Sequence, residues 1–292
     1  MQHDGSLKVD AAQATSLAGA VALVGFPTDS NSSYRRGPAK APAAIRSAMW
    51  SEAGNPYAES GIRLRLSENV VDAGDAALRE DETDRSTIEA FVSEQLEAGR
   101  RVLSLGGDHS ITYPIVRAFA HSYPKLNIVH FDAHPDLYST FGGNRFSHAC
   151  PFARILESAG VGSLLQIGIR TMTPAQRETA DRYGVRVFGP DEIEAARRAL
   201  PGGDVYVTLD LDGIDPAYAP GVSHREPGGL TVRDVLRLVA AIPGSVVGAD
   251  VVELNPDCDV DGLTAGVAAK CAREFAARML SDGTNTPAAR TR

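Results

Sequence analysis

Asp132, His134 and Asp136 close the stretch Ile128-Val129-His130-Phe131-Asp132-Ala133-His134-Pro135-Asp136, a short apolar run ending in Asp-x-His-x-Asp. On an extended backbone, side chains two apart share a face, so this spacing predicts that the three converge on one point. A neutral imidazole between two carboxylates suits a divalent cation of intermediate hardness such as Mn2+. By itself the triplet reads as a strand running into an acidic surface turn. Further clusters shift that balance: Gly106-Gly107-Asp108-His109, Asp210-Leu211-Asp212-Gly213-Ile214-Asp215-Pro216, and Glu253 after Val246 to Val252. Asp210 and Asp212 again share a face by the two-residue period. Brought together without metal, these carboxylates would repel and raise one another's pKa values. Two divalent cations would neutralise that repulsion, so a binuclear site is the economical account.

The elements that must position these groups follow from the apolar runs. Strands are predicted at Ala20 to Phe26, Val70-Val71, Arg101 to Leu105, Leu126 to Phe131, Leu164 to Ile169, Val185 to Phe188, Asp204 to Leu211 and Ser245 to Val252. Helical patterns fall between most of them. One starts at Thr173-Pro174, a capping residue followed by proline at the first helical position. The strands are continuous apolar runs rather than alternating ones, the mark of a parallel sheet covered on both faces. The expected architecture is a single three-layer α/β/α domain with a mostly parallel central sheet, spanning 19–281. A flexible N-terminal extension (1–18) and a disordered C-terminal tail (282–292) are expected to flank it. In such sheets ligands bind at the carboxyl ends of the strands, where the acidic and histidine clusters lie.

Bulk properties narrow the function class. A net charge of −8 argues against nucleic-acid or anionic-membrane partners. Three widely spaced cysteines without a Cys-x-x-Cys pair argue against a disulfide framework or a cysteine zinc site, and the default is a reducing compartment such as the cytoplasm. No apolar run approaches the length of a membrane span. The first residues lack the apolar core of a signal peptide.

The ordered set of Gly106-Gly107-Asp108-His109-Ser110, Asp132-Ala133-His134-Pro135-Asp136, Asp210-Leu211-Asp212 through Pro220-Gly221, and Asp250-Val251-Val252-Glu253-Leu254-Asn255-Pro256 resembles the arginase/agmatinase (ureohydrolase) family. The resemblance runs from Val21 to the final helix. It implies a homo-oligomer (trimer or hexamer) and a site with two Mn2+ per subunit that hydrolyses a small guanidino substrate to urea and an amine. By motif, His109, Asp132, Asp136 and Asp210 would hold one ion. His134, Asp132, Asp210 and Asp212 would hold the other, with Asp132 and Asp210 bridging. His148, in Asn144-Arg145-Phe146-Ser147-His148-Ala149, matches the proton-shuttling histidine, and Glu253 matches the carboxylate that receives the guanidinium. Thr208 and Ala149 depart from the commoner Ser and Gly, and neither change removes a ligand.

The segments around Ser147-His148-Ala149 and Ala219 to Gly229 look most like plant-type arginases, within the agmatinase-like branch of the family. Agmatine is set ahead of arginine as substrate, with arginase proper or a guanidinobutyrase as alternatives. Asn144, Arg145 and His224 are candidate outer-pocket groups, and an inward Arg145 would favour a carboxylate-bearing substrate. A single-zinc deacetylase is disfavoured by the paired Asp motifs. A silent metal-binding scaffold in an oligomer is the non-enzymatic reading, distinguishable by turnover.

Overall fold

A computed structural model describes residues 17–284. Nearly all of the expected N-terminal extension and most of the expected C-terminal tail lie outside the described residues. Eight strands form one sheet: β1 (Val21–Phe26), β2 (Val70–Asp75), β3 (Arg101–Gly106), β4 (Asn127–Phe131), β5 (Ser163–Ile167), β6 (Arg186–Phe188), β7 (Asp204–Asp210) and β8 (Ser245–Val252). Their order is β2-β1-β3-β8-β7-β4-β5-β6, and every pairing is parallel. The sheet is thus wholly parallel where a mostly parallel one was expected.

The helices α1 (Ala41–Met49), α2 (Asp84–Glu97), α3 (Thr112–Ser122), α4 (Pro151–Ser158), α5 (Pro174–Tyr183), α6 (Ile193–Ala199), α7 (Val232–Ala240) and α8 (Leu263–Thr284) cover both faces. Ile45 of α1, Ala196 of α6, Val235 of α7 and Phe275 of α8 pack against one face, with Val21, Leu103 and Val207 from the sheet. Ile88 of α2, Phe119 of α3, Phe152 of α4 and Ala180 of α5 pack against the other, with Ala22, Val102 and Tyr206. Successive strand residues point to opposite faces, and both faces are apolar, which is why the strands read as unbroken runs. No helix among the described residues is long and apolar enough to cross a membrane.

Local signals behave as their chemistry dictates. Thr173 accepts from the Gln176 N–H and Gln176 reaches back to the Thr173 N–H, a capping box that starts α5, and Gly184 ends the helix in the left-handed region. The last helix runs past the expected boundary at 281. Asp282 pairs with Arg278 at 3.0 Å and accepts from the Val246 N–H at 2.8 Å, so a tertiary contact to β8 holds a turn that composition reads as tail.

The sheet order decides where the site forms. Between β3 and β4, consecutive in the chain, lie β8 and β7. The four central strands therefore bring the loops after residues 106, 131, 210 and 252 side by side, and such a crevice is where open α/β sheets bind ligands. Register is matched too: Phe131 is level with Leu209, and Asp210 with Val252.

Candidate metal centre

His109 opens a 3-10 turn (His109–Ile111) after β3, capped by Asp108, whose carboxylate accepts from the Ser110 N–H. The backbone here passes so close to its neighbour that a Cβ on Gly107 would stand 1.8 Å from the Thr28 carbonyl oxygen. Only glycine fits. The turn places the His109 ring, fully buried, over the ends of β4 and β7. Its Nδ1 lies 3.2 Å from Asp132, 3.1 Å from Asp136 and 3.2 Å from Asp210, in each case from Oδ2. Nδ1 makes no hydrogen bond despite this company, while Nε2 lies 3.0 Å from the Thr208 hydroxyl. Hard divalent cations hold ligands at about 2.0–2.6 Å, which spaces adjacent ligands of an octahedron about 2.8–3.7 Å apart. An orphaned imidazole nitrogen facing three carboxylate oxygens at such spacings fits one cation.

A second set adjoins it. His134 Nδ1 lies 3.2 Å from Asp212 Oδ2 and 3.5 Å from Asp132 Oδ1. Asp132 therefore turns one oxygen to His109 and the other to His134, the disposition of a carboxylate shared by two cations. His134, Asp132 and Asp212 also form a group with ligand atoms close enough to hold one ion.

The six residues converge as expected, but not by the expected route. β4 ends at Phe131, and Asp132, His134 and Asp136 occupy an irregular loop rather than an extended strand. His134 N–H donates to Asp132 Oδ1 at 2.6 Å, and Asp136 adopts φ 50°. Asp212 sits in a 3-10 turn (Leu211–Gly213), its N–H donating to Asp210 Oδ1 at 2.8 Å. The two-residue period thus names the right side chains for a geometry that turns create. Glu253, at φ 64°, is a second site residue in the left-handed region. Such strain costs of order 1–3 kcal/mol per residue and persists where the surroundings over-determine it.

Electrostatics describe a cluster in need of cations. Burial, then repulsion from Asp132, raises Asp136 to about 7 and Asp212 to about 6. Burial, Asp212 and Asp132 push Asp210 well above the carboxylate range. Burial also opposes charge on Asp132, yet His130, His109 and His134 outweigh it and hold that carboxyl well below the usual value. His109 and His134 are both raised, because their carboxylate partners outweigh burial. Protons on these two rings stand where cations would.

Beside the centre lies a cavity of about 200 Å3. His148 and Glu253 line it, with His148 Nδ1 2.8 Å from Glu253 Oε1 and Nε2 2.8 Å from the Ser33 hydroxyl. Burial disfavours charge on His148, but Glu253, Asp108 and Asp136 more than compensate and lift its pKa to about 9. His224 also lines the cavity, 5.3 Å from the His148 ring and 6.1 Å from the His134 ring. Two outer-pocket expectations are corrected. Arg145 is exposed and pairs with Glu157 at 3.1 Å, away from the cavity lining. Asn144 is also absent from that lining and spends its amide on Asn31 Oδ1 and the Phe146 N–H.

Sequence reasoning passed over several groups. Arg170 donates to the carbonyls of Gly168, Asp212, Gly213 and Glu226, pinning the Asp212 turn. His130 and Gln166 are buried polar residues inside apolar strands, and that alone could have marked them.

A buried carboxylate–imidazole cluster lies at the carboxyl ends of a parallel sheet in an α/β/α architecture, with a base-bearing cavity beside it, an arrangement suited to hydrolysis assisted by divalent cations. The model of the Arginase family matches residues 19–277. Arginase 1 of Arabidopsis thaliana, a mitochondrial protein, is 44% identical over 274 residues, covering 88% of this chain and 80% of that protein. The agmatinase of Bacillus anthracis is 37% identical over 264 residues, covering 87% and 90%. The arginase structure from Medicago truncatula superposes with a TM-score of 0.85 at 41% identity, covering 90% of this chain and 88% of that one. The chain belongs to the arginase family and is a ureohydrolase.

Proposed function

We propose that this protein hydrolyses L-arginine to ornithine and urea at a centre of two Mn2+ per subunit. The observation that carries the chemistry is Asp132, whose two oxygens face two different imidazoles within a cluster where burial and mutual repulsion push Asp136, Asp210 and Asp212 above the usual carboxylate range. His109, Asp132, Asp136 and Asp210 would hold one ion, and His134, Asp132, Asp210 and Asp212 the other. Bound there, such ions supply Lewis acidity and a nucleophile from water at neutral pH. Glu253 Oε1 already accepts from His148 and from the His109 N–H at 2.8 Å. Its Oε2 is therefore the oxygen left to receive a guanidinium. His148, held between Glu253 and Ser33, is placed to give a proton to the leaving amine.

The choice of arginine reverses the expectation that set agmatine first. Support comes from the greater identity to plant arginases than to bacterial agmatinases. Neither Arg nor Lys is among the described residues lining the cavity, so a substrate whose only far-end charge is a carboxylate, guanidinobutyrate, is poorly matched. An α-carboxylate accompanied by its ammonium would be met by the neutral amide nitrogen of Gln176, whose oxygen accepts from Thr173. The reading extends to a homotrimer or homohexamer, on the family resemblance, and to a reducing cytoplasm, on three free cysteines. Urea release by Mn2+-loaded protein, compared for arginine, agmatine and guanidinobutyrate, tests it. Arginine is expected to give the highest kcat/KM. Preference for agmatine would restore the other order, and no urea from any of them, with metal bound, would point to another guanidino compound first and to the silent scaffold second.

A further inference from the structure

His130 and Gln166 face each other in register on β4 and β5, both fully buried. Gln166 Nε2 lies 2.7 Å from the Pro135 carbonyl oxygen and 3.0 Å from His130 Nδ1. The carbonyl accepts only, so the amide must present its nitrogen there, and the same NH2 group directs its second proton at the ring. Nδ1 of His130 is then an acceptor and carries no proton. The ring proton must sit on Nε2, which lies 2.7 Å from Asp132 Oδ2. That is the same oxygen Asp132 turns toward His109. The ring is held in plane by Phe152, stacked with centroids 4.0 Å apart and an interplanar angle of 29°.

We infer that His130 is not a metal ligand but a positioning residue: Gln166 fixes it as the Nε2–H tautomer, and that N–H orients the shared carboxylate Asp132 for two cations. Both ring nitrogens are thereby committed. The relay also ties the Asp132–Asp136 loop, through Pro135, to the neighbouring strand. Asp132 receives one hydrogen bond on each oxygen, from His130 on Oδ2 and from the His134 N–H on Oδ1, so each oxygen keeps a lone pair for a cation. Gln166 Oε1 is left buried without a partner. The inference rests on Asp132 being a metal ligand and not on which guanidino compound is cleaved.

Two measurements test it without turnover. The first is the tautomer of His130 in the full-length metal-free protein, read from two-bond 1H–15N correlations of the ring and assigned by the signal lost in His130→Phe. Protonation at Nε2 is expected, and protonation at Nδ1 would overturn the relay. The second is titration with Mn2+ alone, followed by calorimetry and by metal content per chain. Removing a partner that orients a ligand typically weakens metal binding about 10–100-fold. That loss is expected in His130→Phe, a smaller one in Gln166→Leu, and partial recovery in His130→Gln, whose amide can still donate to Asp132. Should His130→Phe fail to fold, Gln166→Leu carries the test. Wild-type Mn2+ affinity in the folded variants would sink the proposal. Loss of one of two ions in His130→Phe with Gln166→Leu unaffected would make His130 a ligand, since it lies within reach of His109 and Asp132. Failure to release urea would leave both readouts intact and strike only the proposed hydrolysis.

Discussion

His148 Nδ1 lies 2.8 Å from Glu253 Oε1, joining a loop after β4 to the end of β8 across the cavity wall. The pair couples the residue placed to move a proton to the one placed to hold the substrate's cation. His148→Ala is expected to keep its metal and lose turnover by ~10²–10⁴-fold, the usual contribution of general acid–base help. Steady-state urea release alongside metal content checks this. Unchanged turnover would remove His148 from the chemistry.

Asp132 faces two imidazoles at once, so Asp132→Ala should strip both ions where loss of an unshared ligand such as Asp136 weakens one more than the other. Metal content per chain after exhaustive dialysis distinguishes them. A fully loaded Asp132→Ala protein contradicts sharing.

The pH response of the metal-free protein has a definite sign. Asp136 and Asp212, at 3.8 in ordinary surroundings, are lifted to about 7 and about 6 by burial and by Asp132. Between pH ~4 and ~7 the folded chain therefore holds protons that the unfolded chain has lost, and its stability falls as pH rises through that window. Cations replace those protons. The rise in Tm on adding Mn2+ should be larger at pH 8 than at pH 6, and calorimetry in buffers of different ionisation enthalpy should show proton release. Equal Tm shifts at the two pH values would refute this.

Gly107→Ala should destabilise the chain by at least about 2 kcal/mol, because overpacking against backbone cannot relax as it does against a flexible side chain. The Cβ would meet the Thr28 carbonyl oxygen at 1.8 Å. Urea denaturation of the metal-free variant measures the cost, and wild-type stability would show that the loop yields.

Thiol reactivity should be unequal. Burial raises Cys150 to about 11 and Cys271 to about 12, whereas Cys258 is only partly buried. At pH 8 a thiol reagent is expected to modify one cysteine quickly in the native protein and all three after denaturation. Rapid reaction of Cys271 would mean that α8 opens.

Local chemistry in the chain determined a great deal. Apolar runs long enough for one strand, each ending in a polar cluster, prescribe a covered parallel sheet with its chemistry on one edge, and the start of α5 at Pro174 and the bounds of β8 fall where the sequence places them. The converging carboxylate and imidazole side chains were legible because burying such groups on strand ends has few uses other than holding a cation. Tertiary structure decided the rest. Which strands are neighbours depends on how helices pack across the sheet, so nothing local places β8 and β7 between β3 and β4. The convergence of Asp132, His134 and Asp136 comes from a turn with Asp136 at φ 50°, whose conformation its neighbours impose. Arg145 had two plausible directions, and Glu157, in the last turn of α4, took it outward. His130 reads as one polar residue in an apolar strand, and it gains a role only when register sets Gln166 beside it. Contacts of this kind depend on distances between segments that the chain brings together only by folding.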